Sequence, residues 1–339
     1  MTHVEQCLDR LKLGQNLAQE EMIALLDAVM GGACQEAQIA DLLTALHDKG
    51  ESVEEVAGAA IALRRHMTPI RHQRAGVVDT CGTGGDGSRT FNISTAAAIV
   101  AAAAGVPVAK HGNRSITSRT GSADVLAELG VKIDACGEVV ERCLNELGIC
   151  FCFAPQLHPA MKHVSAVRKQ LPFPTIFNLL GPLCNPAQAP FQVLGVGKQH
   201  LHALLASALA LLEPQRALVV HGEDGLDEVT LGGATNVFDV KEGKVCGFTW
   251  SPAEFGIAPA GRETMRADNP AESAAIIGRV LVGVAGPPRD IVVLNAAAAL
   301  WTAGRDASPA ACARLAEEAI DRGAAAKLLN RLAEMSHSN

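Results

Sequence analysis

Along the first 66 residues the apolar positions recur at helical spacing. Met22, Leu25, Leu26, Val29 and Met30 form one stripe, and Gly31-Gly32 ends it. Ile39, Leu42, Leu43 and Leu46 form a second stripe over 37–49, closed by Gly50. Ser52 followed by Glu55 is a capping box for a third helix running to Arg65. Residues 1–66 therefore read as helices only, and 67–75, with Pro69 and several charges, as a linker. From Gly76 on the pattern changes to short apolar runs alternating with helical stretches. Val77-Val78, Pro107-Val108-Ala109, 150–154, 193–196, 217–220 and 291–294 read as strands. That alternation is the pattern of an α/β layer with a mostly parallel central sheet flanked by helices. Residues 232–270, richer in Gly, Pro and polar positions, read as an irregular antiparallel patch, and 308–335 as one or two terminal helices.

One junction stands out for chemistry. The strand at 76–80 runs into Cys81-Gly82-Thr83-Gly84-Gly85-Asp86-Gly87, and a helix rich in Ala follows from Ser94. Glycines let backbone N–H groups close on a phosphate, and a helix start adds its own unpaired N–H groups. Gly82, Gly84 and Gly87 satisfy the dinucleotide spacing, but the position about 20 residues on that should be acidic falls near Lys110. Gly87 is followed by Ser88-Arg89, so the Gly-Lys-Ser/Thr closure of a nucleotide P-loop is absent as well. The next strand ends in Lys110-His111-Gly112-Asn113-Arg114-Ser115-Ile116-Thr117-Ser118. Cations, an amide and hydroxyls at the C-terminal end of a strand lie where open α/β sheets bind ligands. Taken alone, Ser122 reads as a helix N-cap.

Other candidates carry less by themselves. His158 and His163 are five apart, not the four of a two-ligand helix turn, so a zinc pair is not indicated. Arg168 on spacing alone is a surface cation. Asp227-Glu228, in a turn after a strand, suits Mg²⁺ shared with substrate phosphates. Leu171-Pro172-Phe173-Pro174, Gly181-Pro182 and Asn185-Pro186 cannot form a regular helix or central strand. This segment reads either as a hinge passing back to the helices or as a rigid loop.

Composition narrows the function. Hydrophobic residues make up 48% of 339 residues, with 3% aromatics and no Tyr, so the core rests on Ala, Val, Leu and Ile. The formal net charge of −7 argues against a nucleic-acid groove or an anionic membrane surface. No secretory signal opens the chain, and the apolar stretch 93–109 is too short and interrupted to span a bilayer. A cytoplasmic location follows, with the ten cysteines expected as reduced, buried hydrophobes.

Together these motifs resemble the anthranilate phosphoribosyltransferase family over nearly the whole chain. The resemblance rests on 82–95, 110–114, Gly121-Ser122-Ala123-Asp124-Val125-Leu126, His158-Pro159-Ala160-Met161-Lys162-His163-Val164, Phe177-Asn178-Leu179-Leu180-Gly181-Pro182-Leu183 and Gly225-Leu226-Asp227-Glu228. It also takes in Met30-Gly31-Gly32 and Lys49-Gly50-Glu51. It implies a small all-helical domain, 1–72 joined by part of 170–190, and a larger α/β catalytic domain, 73–339. It implies transfer of phosphoribosyl from phosphoribosyl pyrophosphate to anthranilate in tryptophan biosynthesis, with two Mg²⁺ ions and a homodimer through the helical domain. Carried over by motif, Gly82, Gly85, Asp86, Thr90, Asn92, Ser94, Thr95, Lys110, His111, Gly112, Asn113, Arg114, Ser115, Ser118 and Ser122 would hold the phosphoribosyl donor. Gly82, Asn113 and Arg168 would face anthranilate, and Ser94, Asp227 and Glu228 would ligate metal. No side chain is assigned as covalent nucleophile or general base. The chain departs from the family pattern at Pro172-Phe173-Pro174, where Gly-x-Arg is usual, and at Cys184, where Thr is common. Two alternatives stand beside this reading. One is a pyrimidine nucleoside phosphorylase, whose Lys-His-Ser-Thr-Gly-Gly type loop is missing here. The other is a non-catalytic paralogue binding nucleic acid or phosphate.

Overall fold

The computed structural model describes residues 2–114 and 120–338. Four helices open the chain: α1 (His3–Lys12), α2 (Gln19–Met30), α3 (Glu36–Lys49) and α4 (Val53–Arg65). The expected capping box starts α4, with Glu55 N–H donating to Ser52 Oγ at 3.3 Å and Ser52 N–H to Glu55 Oε2 at 2.8 Å. Glu55 is fully buried, and its carboxylate also accepts from Leu17 N–H and Lys49 Nζ, both at 2.9 Å. Those partners offset the desolvation of a buried charge. The stripes on α2 to α4 close over one core around Leu25, Leu26, Leu43, Leu46 and Val56.

The rest is built on a seven-stranded sheet: β1 (Val78–Asp79), β2 (Val108–Gly112), β3 (Ile149–Phe153), β4 (Phe191–Gly195), β5 (Arg216–Gly222), β6 (Thr235–Lys241) and β7 (Lys244–Trp250). The spatial order is β3-β2-β1-β4-β5-β6-β7. The first five are parallel, and β6 and β7 add an antiparallel hairpin at one edge. The remaining helices are α5 (Ile93–Ala103), α6 (Ser122–Glu128), α7 (Gly137–Arg142), α8 (Ala154–Leu157), α9 (Lys162–Gln170), α10 (Phe177–Leu180), α11 (Gln199–Leu211), α12 (Pro270–Leu281), α13 (Pro287–Thr302), α14 (Pro309–Asp321) and α15 (Ala324–Ser336). Alternate strand residues feed opposite cores, as the pleat requires. Leu218 and Val220 join a core with α5 and α12 to α15, while Ala217 and Val219 join the core shared with α11 and the helical unit.

Two expectations need correcting. The run 291–294 is not a strand but lies inside α13, continuous with a fully buried Ala296 to Leu300. A short apolar run cannot by itself distinguish a buried strand from a buried helix. All ten cysteines are free thiols, but Cys136 and Cys246 are exposed rather than buried. Among the described residues no helix is long and apolar enough to cross a membrane.

The chain passes between the two units three times: after α4, through α8 and the turn Pro159–Met161 into α9, and from the turn Gly181–Leu183 into β4. The passages lie side by side. Thr68 N–H donates to Leu157 O at 2.8 Å, Ile70 N–H to Pro186 O at 3.0 Å, and Arg64 Nε to Leu183 O at 2.7 Å. Val164, Val167, Phe177 and Leu180 pack into the helical core, and Phe173 stacks on His47 of α3 with centroids 4.2 Å apart. Phe173, Phe177 and Leu180 thus pack the proline-rich segment against the helices.

Candidate functional site: a cleft between helices and sheet

A cleft of about 2070 Å³ separates the helical unit from the C-terminal ends of the parallel strands. Its floor is the glycine loop after β1. Gly84, Gly85 and Gly87 all hold φ between 64° and 78°, which side chains other than glycine rarely adopt. Gly195, the last residue of β4, has the backbone of Asp227 packed where a Cβ would stand. That close approach seats the acidic turn against the loop. Gly84 N–H then donates to Asp227 Oδ2 at 3.0 Å, and Thr83 N–H to Gly195 O at 2.8 Å.

Lys110 emerges from β2 almost fully buried. Its ammonium donates to Thr80 O at 2.9 Å and to Ser94 Oγ at 3.1 Å. Ser94 is in the first turn of α5, and its N–H donates to Glu228 Oε1 at 3.0 Å. Strand end, helix start and acidic turn therefore converge on one point. Burial drives the Asp227 carboxyl well above the usual range, and neighbouring Asp86 adds to the effect. Burial also pushes Glu228 up to about 7, against the pull of Lys110. Asp86 Oδ2 is buried without a hydrogen-bond partner. Three crowded carboxyl groups, one oxygen unpaired and two pushed toward protonation, make a donor set that a hard divalent cation fits. Among the described residues no three His, Cys, Asp or Glu side chains are grouped so that they could hold a metal ion by themselves. Mg²⁺ does not need such a group, since it usually keeps water and substrate phosphate oxygens as ligands.

On the other wall, α9 presents Arg168. Its guanidinium lies 5.3 Å from the Phe177 ring centroid and 3.5 Å from Asn178 Oδ1, and partial burial lowers its pKa. His111 and His158, 47 residues apart in sequence, meet at the back, Nε2 to Nε2 at 3.1 Å. His111 Nδ1 faces Gly181 O at 2.8 Å, so it carries the proton and His158 Nε2 is the donor of the pair. His158 Nδ1 is buried without a hydrogen-bond partner. Burial holds both rings neutral, His111 down to about 3 and His158 to about 4.

The cleft gathers Gly82, Gly85, Asp86, Thr90, Asn92, Ser94, Lys110, His111, Gly112, Asn113, Arg114, Ser122, Arg168, Asp227 and Glu228. Thr95 is not on that wall: it is buried, and its N–H and hydroxyl both turn to the Asn92 side chain, the N-cap of α5. Arg114 pairs with Asp124 at 2.9 Å. Ser115 and Ser118 lie outside the described residues. Ser122 is not the cap expected of it, because Gly121 holds that position. Instead the Ser122 hydroxyl donates to Asn113 O at 3.4 Å. The sequence reading missed Lys198, His47 and Glu51, which also line the cleft. Lys198 had one available signal, a lone cation just past the end of a predicted strand.

Comparison with known proteins agrees with this geometry. A model described as "Glycosyl transferase family, helical bundle domain" matches residues 5–67, and one described as "Glycosyl transferase family, a/b domain" matches 74–326. Anthranilate phosphoribosyltransferase of Rhodopirellula baltica is 52% identical over 321 residues, covering 95% of this chain and 94% of that protein. The crystal structure of the Thermus thermophilus enzyme is 42% identical with a TM-score of 0.90, over 98% of this chain and 99% of that one. The Saccharomyces cerevisiae enzyme, solved in complex with PRPP and Mg, is 29% identical with a TM-score of 0.91, over 99% and 98%. With both domain models in order and relatives this similar end to end, the chain belongs to the anthranilate phosphoribosyltransferase family, the glycosyltransferases that place a phosphoribosyl group on anthranilate in tryptophan biosynthesis.

Proposed function

We propose that this cleft binds phosphoribosyl pyrophosphate on its loop side and anthranilate on its α9 side, with the acidic turn holding Mg²⁺. The reaction is transfer of the 5-phosphoribosyl group to the anthranilate amine, giving N-(5-phosphoribosyl)anthranilate and pyrophosphate. The observation that carries the assignment is the convergence of Lys110, Ser94, Glu228, Asp227 and the Gly84 amide at one end of the sheet, facing Arg168 across the cleft.

Attack by the amine on the anomeric carbon breaks the bond to pyrophosphate, and the barrier lies largely in the charge that pyrophosphate takes away. Mg²⁺, when bound, neutralises that charge as a Lewis acid. The loop amides and Lys110 are fixed before substrate arrives, so they stabilise the leaving group without reorganising. Ser94, Asp227 and Glu228 are the proposed metal ligands. Asp86, with its unpaired oxygen, stands beside them. Arg168 offers a planar fork to the anthranilate carboxylate, and Phe177 beneath it holds the fork in place. The aromatic amine is neutral at pH 7 and needs no deprotonation before it attacks; the proton shed once the new C–N bond has formed passes to solvent or to the departing pyrophosphate. Positioning by the two walls then supplies much of the acceleration.

The same reading takes 1–72 with part of 170–190 as the helical domain and 73–339 as the catalytic domain. It assigns two Mg²⁺ ions per cleft, a homodimer through the helical domain and a cytoplasmic location. Family membership supports these assignments. The test is loss of anthranilate fluorescence on adding donor and Mg²⁺ to purified protein, with EDTA and donor-free controls. Donor- and Mg²⁺-dependent loss is expected. No loss in a folded sample would overturn the reading and turn attention to phosphorolysis.

A further inference from the structure

Beside the glycine loop lies a smaller cavity of about 300 Å³, lined by Ser88, Arg89, Arg262, Glu263 and Arg266. Ser88 and Arg89 line the cleft as well, so the two spaces adjoin at the loop. Three guanidinium groups and one carboxylate give the cavity an excess of positive charge in a chain whose net charge is −7. Among the described residues neither Arg89 nor Arg262 has a carboxylate partner, and Arg266 reaches Asp268 only at 3.8 Å. The three arginines are solvent-exposed, so water screens their mutual repulsion, and an anion held between them would lower it further.

The backbone holds the cluster together. Ala267 N–H donates to Arg89 O at 2.9 Å, Phe91 N–H to Met265 O at 2.8 Å, and Thr90 bridges to Arg266. Arg262 Nη1 donates to Asp224 O at 3.0 Å, in the turn that leads to Asp227. The segment 262–267 thus joins the glycine loop to the acidic turn, and the cavity sits in that joint.

We propose that this cavity is a second phosphoanion site, separate from the cleft, which takes inorganic pyrophosphate or orthophosphate. Guanidinium forks match phosphate oxygens in pairs, and three of them can surround a small anion from several sides. Two sources share this chemistry: pyrophosphate released by the reaction in the adjoining cleft, and phosphate from solution. The site itself does not depend on the transferase reading, since its charge and shape stand without turnover.

Calorimetric titration of inorganic pyrophosphate into the full chain, without Mg²⁺ and in a phosphate-free buffer, tests it. Wild type is expected to bind one molecule per chain more than Arg262→Gln/Arg266→Gln, whatever the cleft itself binds. The same stoichiometry and affinity in wild type and the variant overturn the proposal. If the double variant unfolds, Glu263→Gln, which removes no guanidinium, should tighten the outer site several-fold and leave any binding in the cleft unchanged. Absence of tightening then overturns it. A parallel titration with orthophosphate separates the sources: equal or tighter filling of the outer site assigns it to solution phosphate, and weaker filling by tenfold or more, about 1.4 kcal/mol, to pyrophosphate. Failure of the transferase reading would show in the fluorescence assay and leave these isotherms untouched.

Discussion

The Gly84 N–H donates to Asp227 Oδ2 at 3.0 Å, across 143 residues of chain. One hydrogen bond thus ties the loop proposed to cradle the donor to the turn proposed to hold the metal. Replacing Asp227 by Asn and Glu228 by Gln removes the charge while keeping the shape. The double variant should lower kcat by on the order of a hundredfold or more and flatten its dependence on Mg²⁺. Titrating Mg²⁺ against initial rate checks this, and an unchanged metal dependence would remove the two residues as ligands.

Arg168 faces the cleft with its guanidinium over Phe177. Arg168→Ala should raise the KM for anthranilate by roughly ten- to a hundredfold, the scale of a lost charge-assisted hydrogen bond. The KM for the donor should change little. Lys in its place should not restore binding, because a point charge lacks the fork. Steady-state kinetics with each substrate varied separately decides it, and equal effects on both KM values would sink the assignment.

Gly112 ends β2 in a space with no room for a methyl group. A Cβ there would lie 2.7 Å from Phe151 Cε2 and closer still to Ser122 Oγ. Gly112→Ala should cost about 1–3 kcal/mol, as overpacking does. Gly137→Ala is the matched control, since its Cβ meets nothing within 4 Å. Thermal melts of both variants give the comparison, and equal Tm values for Gly112→Ala and wild type would contradict the packing argument.

His158 makes a prediction about acid stability. Its pKa is lowered by burial from 6.5 to about 4, so between those values the unfolded chain binds the proton more tightly than the folded one. Stability from this group is complete above pH 6.5 and is lost as pH falls, by about 3 kcal/mol near pH 4. Asp79 and Glu228, raised by burial to about 6 and about 7, work in the opposite direction. They cancel when a variant is compared with wild type at each pH. Urea midpoints of His158→Gln should therefore fall less steeply than wild type between pH 6.5 and 4. Parallel curves would show that the ring is not held neutral.

Much of this was readable along the chain, and what was not has physical causes. The helical unit announced itself because stripes, caps and glycine stops are local. The glycine loop and Asp227-Glu228 were readable because φ > 0 and hard oxygen ligands demand particular residue types. The pairing of His111 with His158 was not, since it forms only when β2 and the turn after β3 are brought together. Asp79 drew no notice either. It is a buried carboxyl in the central strand that accepts His111 N–H at 3.1 Å, and its meaning depends on a register set by parallel pairing. The hairpin of β6 and β7 read only as an irregular patch because β7 is almost wholly solvent-facing and carries little apolar alternation.

The three chain passages between the units have a mechanical consequence. Laid side by side and hydrogen-bonded to one another, they form a flat strap rather than a single tether. A strap bends about one axis and resists torsion. Opening of the cleft through such a strap is expected to change the gap between Arg168 and Asp227 more than their relative alignment. A substrate pair held on the two walls would then be brought together along much the same line of approach at each closure.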